Sequence, residues 1–108
     1  MAGYFEVKFI EEVEGDEKVA PSTPKTPGSA SLRIRSVDQY KGNLRIDFTL
    51  TGITGGSVTP PYGYTFLDED EVVNCDIVVS GNTGTGTLEV IAFDGEDTDT
   101  DSTTVQVP

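Results

Sequence analysis

Leu44-Arg45-Ile46-Asp47-Phe48-Thr49-Leu50-Thr51 alternates apolar and polar residues without a break. A period of two puts Leu44, Ile46, Phe48 and Leu50 on one face and Arg45, Asp47, Thr49 and Thr51 on the other. That is the pattern of a strand with one buried face. Working outward, residues 31–37 set Leu32 and Ile34 against Arg33 and Arg35. After 44–51, Gly55-Gly56 marks a turn, and residues 57–67 are broken by Pro60-Pro61. The first part of that stretch reads as an edge or irregular segment, because proline cannot donate to a ladder. Tyr64 and Phe66 alternate after it, and Val73, Cys75, Ile77 and Val79 define a further inward face. Beyond the turn Gly81-Asn82-Thr83-Gly84, residues 86–93 are apolar on both faces and are expected to be central in a sheet. Residues 102–107 close the chain with Val105 and Val107 inward. No segment carries a 3.6-residue period. The spacing predicts an all-β antiparallel sandwich of about six to seven strands.

In front of this module stands a second strand-like stretch, Gly3-Tyr4-Phe5-Glu6-Val7-Lys8-Phe9-Ile10. An acidic run follows it, then Ala20-Pro21-Ser22-Thr23-Pro24-Lys25-Thr26-Pro27-Gly28, whose prolines favour an extended spacer. Some nine such residues at roughly 3.1 Å each reach on the order of 30 Å. The chain is therefore expected to divide into an arm and linker, 1–28, and a sandwich, 29–108. A lone strand must pair with something. Either it folds back as the first strand of its own sheet or it lies on another subunit, burying Phe5, Val7 and Phe9 there. The second reading is the expected one, with the charged run 11–18 unpacked.

The charge of −12, from nineteen acids and seven bases, makes nucleic acid and anionic membrane poor partners. No stretch approaches the length of an apolar membrane span. Histidine is absent, so neither a Ser-His nor a Cys-His pair can form. No glycine loop is followed by the lysine and helix of a phosphate site. The single Cys75 forms no internal disulfide and reads as a small buried apolar residue. Nothing at Met1-Ala2-Gly3-Tyr4 resembles a signal peptide, which suggests synthesis and retention in a cytoplasm.

The stretch Gly55-Gly56-Ser57-Val58-Thr59-Pro60-Pro61-Tyr62-Gly63-Tyr64-Thr65-Phe66 resembles the immunoglobulin-like repeats of bacterial surface proteins, including the polycystic-kidney-disease type. The ending Gly86-Thr87-Leu88-Glu89-Val90-Ile91-Ala92-Phe93-Asp94-Gly95, then Asp101-Ser102-Thr103-Thr104-Val105-Gln106-Val107, is similar to the closing hairpin of the same group. Phe66-Leu67-Asp68 stands where those repeats carry a tryptophan-aspartate signature. The resemblance covers about residues 43–108 and implies an immunoglobulin-like sandwich used for display or adhesion. Such modules also serve as decoration, tail or fibre subunits of bacteriophages. A virion subunit docking through its arm, with no signal peptide, is the expected function. A surface module that binds carbohydrate or protein is the alternative.

Three further groups are candidate sites. Arg33, Arg35 and Arg45 are expected on one outward face, where Glu11, Glu12, Glu14, Asp16 and Glu17 of another subunit's arm would meet them. Tyr62 and Tyr64 beside the prolines are a candidate ligand surface, with Tyr64 in the core as the competing reading. If successive strands reverse direction, the connections 37–43, 68–71 and 94–101 share one end, which becomes strongly acidic. Asp68, Asp70, Asp94, Asp97 and Asp99 there are candidate calcium ligands, since Ca²⁺ takes six to eight oxygens from acidic loops. No other cofactor is implied, and the partner is expected to be protein, self or a larger assembly.

Overall fold

The computed structural model describes residues 3–13, 16–19, 28–60 and 62–108, with the backbone alone at 11–13 and 16–19. Among the described residues nine strands form two antiparallel sheets. They are β1 (Tyr4–Val13), β2 (Asp16–Val19), β3 (Ser29–Val37), β4 (Gly42–Thr51), β5 (Ser57–Thr59), β6 (Tyr62–Leu67), β7 (Val72–Ser80), β8 (Gly84–Phe93) and β9 (Thr98–Val107). Sheet I runs β2-β1-β3-β7-β5 and sheet II runs β6-β4-β8-β9. The inward side chains of the two sheets form one core, as in a β-sandwich.

The alternation in the sequence sets the inward faces. Leu32 and Ile34 of β3, Leu44 and Ile46 of β4, Ile77 and Val79 of β7, Leu88, Val90 and Ala92 of β8, and Val105 and Val107 of β9 are all buried. Phe48, Leu50, Val58, Val73 and Cys75 pack against this core but stay half-buried. β8 is central, between β4 and β9, as its two apolar faces predict. The close approach of β8 to the end of β4 needs a glycine at 86, since a Cβ there would run into the Thr51 carbonyl oxygen and the Ile53 side chain.

The N-terminal stretch corrects the expected division at 28/29. Tyr4 to Ile10 pair with Val37 to Ser31 of β3 along a continuous antiparallel register. Phe5, Val7 and Phe9 are 4%, 2% and 1% exposed and belong to the same core as Leu32 and Leu88. The reason is local. A strand with one apolar face finds β3 close by, and pairing within its own chain carries no translational cost. The acidic run is also not loose: Glu11, Glu12 and Val13 pair with Lys18, Glu17 and Asp16 as the β1–β2 hairpin. The proline-spaced stretch 20–27 lies outside the described residues. Gly28, at its end, donates to the Gln106 carbonyl and accepts from the Val79 amide.

Candidate functional site

The outward face of sheet II is built by register. Arg45 of β4 lies beside Tyr64 of β6 on one side and Phe93 of β8 on the other. In the next row Asp47 lies between Tyr62 and Ile91, and Asn43 lies beside Phe66. Cross-strand neighbours share a face, so these residues point to solvent together. Tyr62 is 52% exposed, Tyr64 71%, Phe66 48% and Phe93 43%. The core reading of Tyr64 therefore fails. Leu67 is the buried residue of β6, and counting back by two sets Thr65 and Gly63 inward and the aromatics outward.

Arg45 organises this face. Its guanidinium carbon lies 4.9 Å from the centre of the Tyr62 ring and 5.3 Å from that of Tyr64. It donates to Asp47 at 2.9 Å and to the Tyr64 hydroxyl. The Asp47 hydrogen bond leads in raising its pKa further above the ordinary arginine value, so it is a permanent cation. Lys41 lies 5.9 Å above the Phe66 ring. Two cations held over three aromatic rings make a patch that is apolar in area and fixed in charge.

The three arginines are not brought together. Arg33 and Arg35 point outward from sheet I, whereas Arg45 points outward from sheet II, because β3 and β4 belong to opposite layers. Glu6 of the chain's own β1 takes the place of the expected foreign acid, at 2.7 Å from Arg35 and 3.8 Å from Arg33. The side chains of Glu11, Glu12, Glu14, Asp16 and Glu17 lie outside the described residues.

The acidic end forms as its connections predict. Buried Ser36 donates to the Tyr40 carbonyl at 2.7 Å and accepts from the Asp70 amide at 3.1 Å. Tyr40 donates through its hydroxyl to Asp94 at 2.8 Å. These bonds tie the 38–41, 68–71 and 94–97 connections together. The candidate ligands do not converge, however, and no group of three metal-ligating side chains occurs among the described residues. Asp94 accepts from the amides of Glu96 and Asp97 and from Tyr40. Asp68 accepts from the Glu69 amide and lies 4.0 Å from Lys41. Asp99 is not in a loop at all: β9 begins at Thr98, and the Asp99 carboxylate accepts the Val7 amide at 2.8 Å.

Sequence reasoning missed Tyr40, Phe93 and the roles of Asp99 and Asp101. Desolvation, then the Asp94 hydrogen bond, push the Tyr40 hydroxyl well above its ordinary pKa. Desolvation alone would raise Asp94, but the Asp97 and Glu96 amides and Tyr40 outweigh it and hold the carboxyl below its ordinary value. Burial raises the Cys75 thiol, with Asp76 adding to the effect, so it is a poor nucleophile. Among the described residues no helix is long and apolar enough to cross a membrane. No family model, no curated protein and no solved structure matches the chain.

Proposed function

We infer that the protein is a non-enzymatic structural or interaction module that docks onto a protein partner through the outward face of sheet II. The observation that carries this is the cluster Tyr62, Tyr64, Phe66 and Phe93, exposed in adjacent rows around Arg45. Tyrosine, phenylalanine and arginine are the residues enriched where partners bind tightly. Docking by the N-terminal strand is replaced by docking through this face, because Phe5, Val7 and Phe9 are used in the core. A small subunit of a larger assembly, such as a virion, is the setting that suits a module of this size and composition.

The strand order supports the immunoglobulin-like reading. In immunoglobulin domains, sheets ABED and CFG face each other. Here β1, β3, β7 and β5 stand where A, B, E and D would, and β4, β8 and β9 where C, F and G would. One point departs from that order: β6 flanks β4 but follows β5 in the chain, whereas the immunoglobulin strand beside C precedes D.

A photo-crosslinking residue at position 64, used in the cells that make the protein, tests the reading. Crosslinks to proteins other than a second copy of the chain should gather on one partner and be lost with Tyr62→Ser or Phe93→Ser, while the fold, followed by circular dichroism, stays intact. Crosslinks scattered over unrelated proteins would overturn it. Capture of glycans in place of proteins would move the assignment to carbohydrate, for which the Arg45–Asp47 pair beside two tyrosine rings offers a donor and an acceptor.

A further inference from the structure

The strand edges of the sandwich are unequally protected. The edge of β1 from Val7 to Phe9 is closed by β9, whose Asp99 and Asp101 carboxylates each accept one of its amides at 2.8 Å. Such inward-pointing charges on an edge strand are a recognised guard against foreign pairing. β2 reads Asp16-Glu17-Lys18-Val19, three charges in four residues. β5 has only three residues and ends against Pro60. β7 is unpaired on one side over 72–77, but it follows the acidic turn 68–71 and carries Asp76. β6 differs from all of these. It reads Tyr62-Gly63-Tyr64-Thr65-Phe66-Leu67, with no charge and no proline within it, and among the described residues it pairs with β4 alone.

We propose that β6 is a self-pairing edge: two copies of the chain join antiparallel along β6 and extend sheet II across a two-fold axis. The side-chain parity of a sheet restricts the register, since facing residues must share a face. Centring the axis on Tyr64 sets Tyr64 against its own copy, Tyr62 against Phe66, and Gly63 against Thr65. Aromatic then meets aromatic on the outer face, and small meets small on the inner one. Aromatic cross-strand pairs stabilise a sheet. Gly63 and Thr65 face inward yet remain half-exposed, and among the described residues no strand covers this flank.

Charge favours a second copy at this edge over any other. The chain carries a net −12, so two copies repel wherever acids face each other. β6 contributes no charge to the seam, and the nearest charged side chain in the Tyr64 row is the cation Arg45, one strand away. The outer face of the pair becomes one aromatic band with Phe93, Arg45 and Tyr64 repeated about the axis. This goes beyond the docking face described above and does not rest on it.

The test is sedimentation across a concentration series with the full chain. The expected species has twice the 11.5 kDa chain mass. Tyr64→Lys, at a position that is 71% exposed, should leave a folded monomer by placing like charges on the axis. Phe93→Ser should remain paired, which separates edge pairing from stacking of the aromatic faces. A second, covalent test uses Tyr64→Cys with Cys75→Ser. Antiparallel partners have Cα atoms about 4.5–5.5 Å apart, within disulfide range. Tyr64→Cys should oxidise to a dimer many-fold faster than a Thr49→Cys control on the same face. A monomer at every concentration with equal oxidation of both variants would overturn the proposal, as would a dimer abolished by Phe93→Ser and untouched by Tyr64→Lys.

Discussion

Tyr40 is a half-buried residue between strands, yet three connections depend on it. Its ring meets Phe5 edge-on, with centroids 5.3 Å apart, and its hydroxyl donates to Asp94. Tyr40→Phe keeps the ring contact and removes the bond, so it should cost about 1–2 kcal/mol in urea denaturation at neutral pH. The pH dependence has two limbs. Asp94 has a folded pKa below the ordinary 3.8, so its contribution is complete above pH 3.8 and is lost as pH falls through the lower folded value. Tyr40 has a folded pKa raised above the ordinary 10.0, so its contribution is complete below pH 10.0 and is lost as pH rises through the folded value. The gap between wild type and Tyr40→Phe should therefore be widest between these limits and narrow outside them. A constant gap across the whole range would show that the two groups do not act as a pair. None of this is legible in sequence. Tyr40 sits between Gln39 and Lys41 with no periodic signal, and only the return of the 94–97 connection gives its hydroxyl a partner.

At the scale of elements, strands were readable and their partners were not. Every apolar alternation in the sequence became a strand, because period two with one buried face has few other uses. What alternation cannot show is which strand lies alongside. β1 looked detached because a proline-rich stretch separates it from β3 in sequence, whereas in space the two are neighbours along seven residue pairs. The sequence places the start of β9 at residue 102, because Asp99 and Asp101 look like loop residues. They belong to the strand because their inward carboxylates accept the amides of Val7 and Phe9, which no strand among the described residues satisfies. Replacing either aspartate by alanine leaves a part-buried amide without its acceptor and should cost about 1–3 kcal/mol. The amide of Val7 should exchange with solvent faster in Asp99→Ala, and that of Phe9 faster in Asp101→Ala, while β4 and β8 amides keep their relative protection. Uniform acceleration across all strands would mean that the carboxylates support the fold only globally.

At the scale of the molecule, the N-terminal strand decides whether the chain is one unit or two. Its three inward residues share the core with both sheets, so a chain lacking residues 1–10 would expose the edge of β3 and lose three large side chains from the core. That truncation should fail to fold, and Phe9→Ala alone should lose about 3–5 kcal/mol of stability. A truncated chain with a cooperative melting transition would restore the two-part reading.

The charge distribution sets the final expectation. Residues 72–108 carry seven acids and no base, and the 68–71 turn adds four more acids at the same end as Asp94. In a molecule measuring 46 × 32 × 17 Å, these charges lie within reach of one another at low ionic strength, where the Debye length is about 30 Å at 0.01 M. Raising the salt to about 0.15 M shortens it to about 8 Å and should raise the melting temperature by several degrees. Calcium at matched ionic strength separates screening from coordination. Asp94 and Asp99 already have acceptor oxygens committed to the chain's own amides, and Asp68 has one committed to the Glu69 amide. Binding an ion would require breaking those bonds, so calcium should raise the melting temperature no more than magnesium does. A shift specific to calcium, reversed by EDTA and removed by Asp94→Asn, would mean that the 94–97 connection rearranges around the ion.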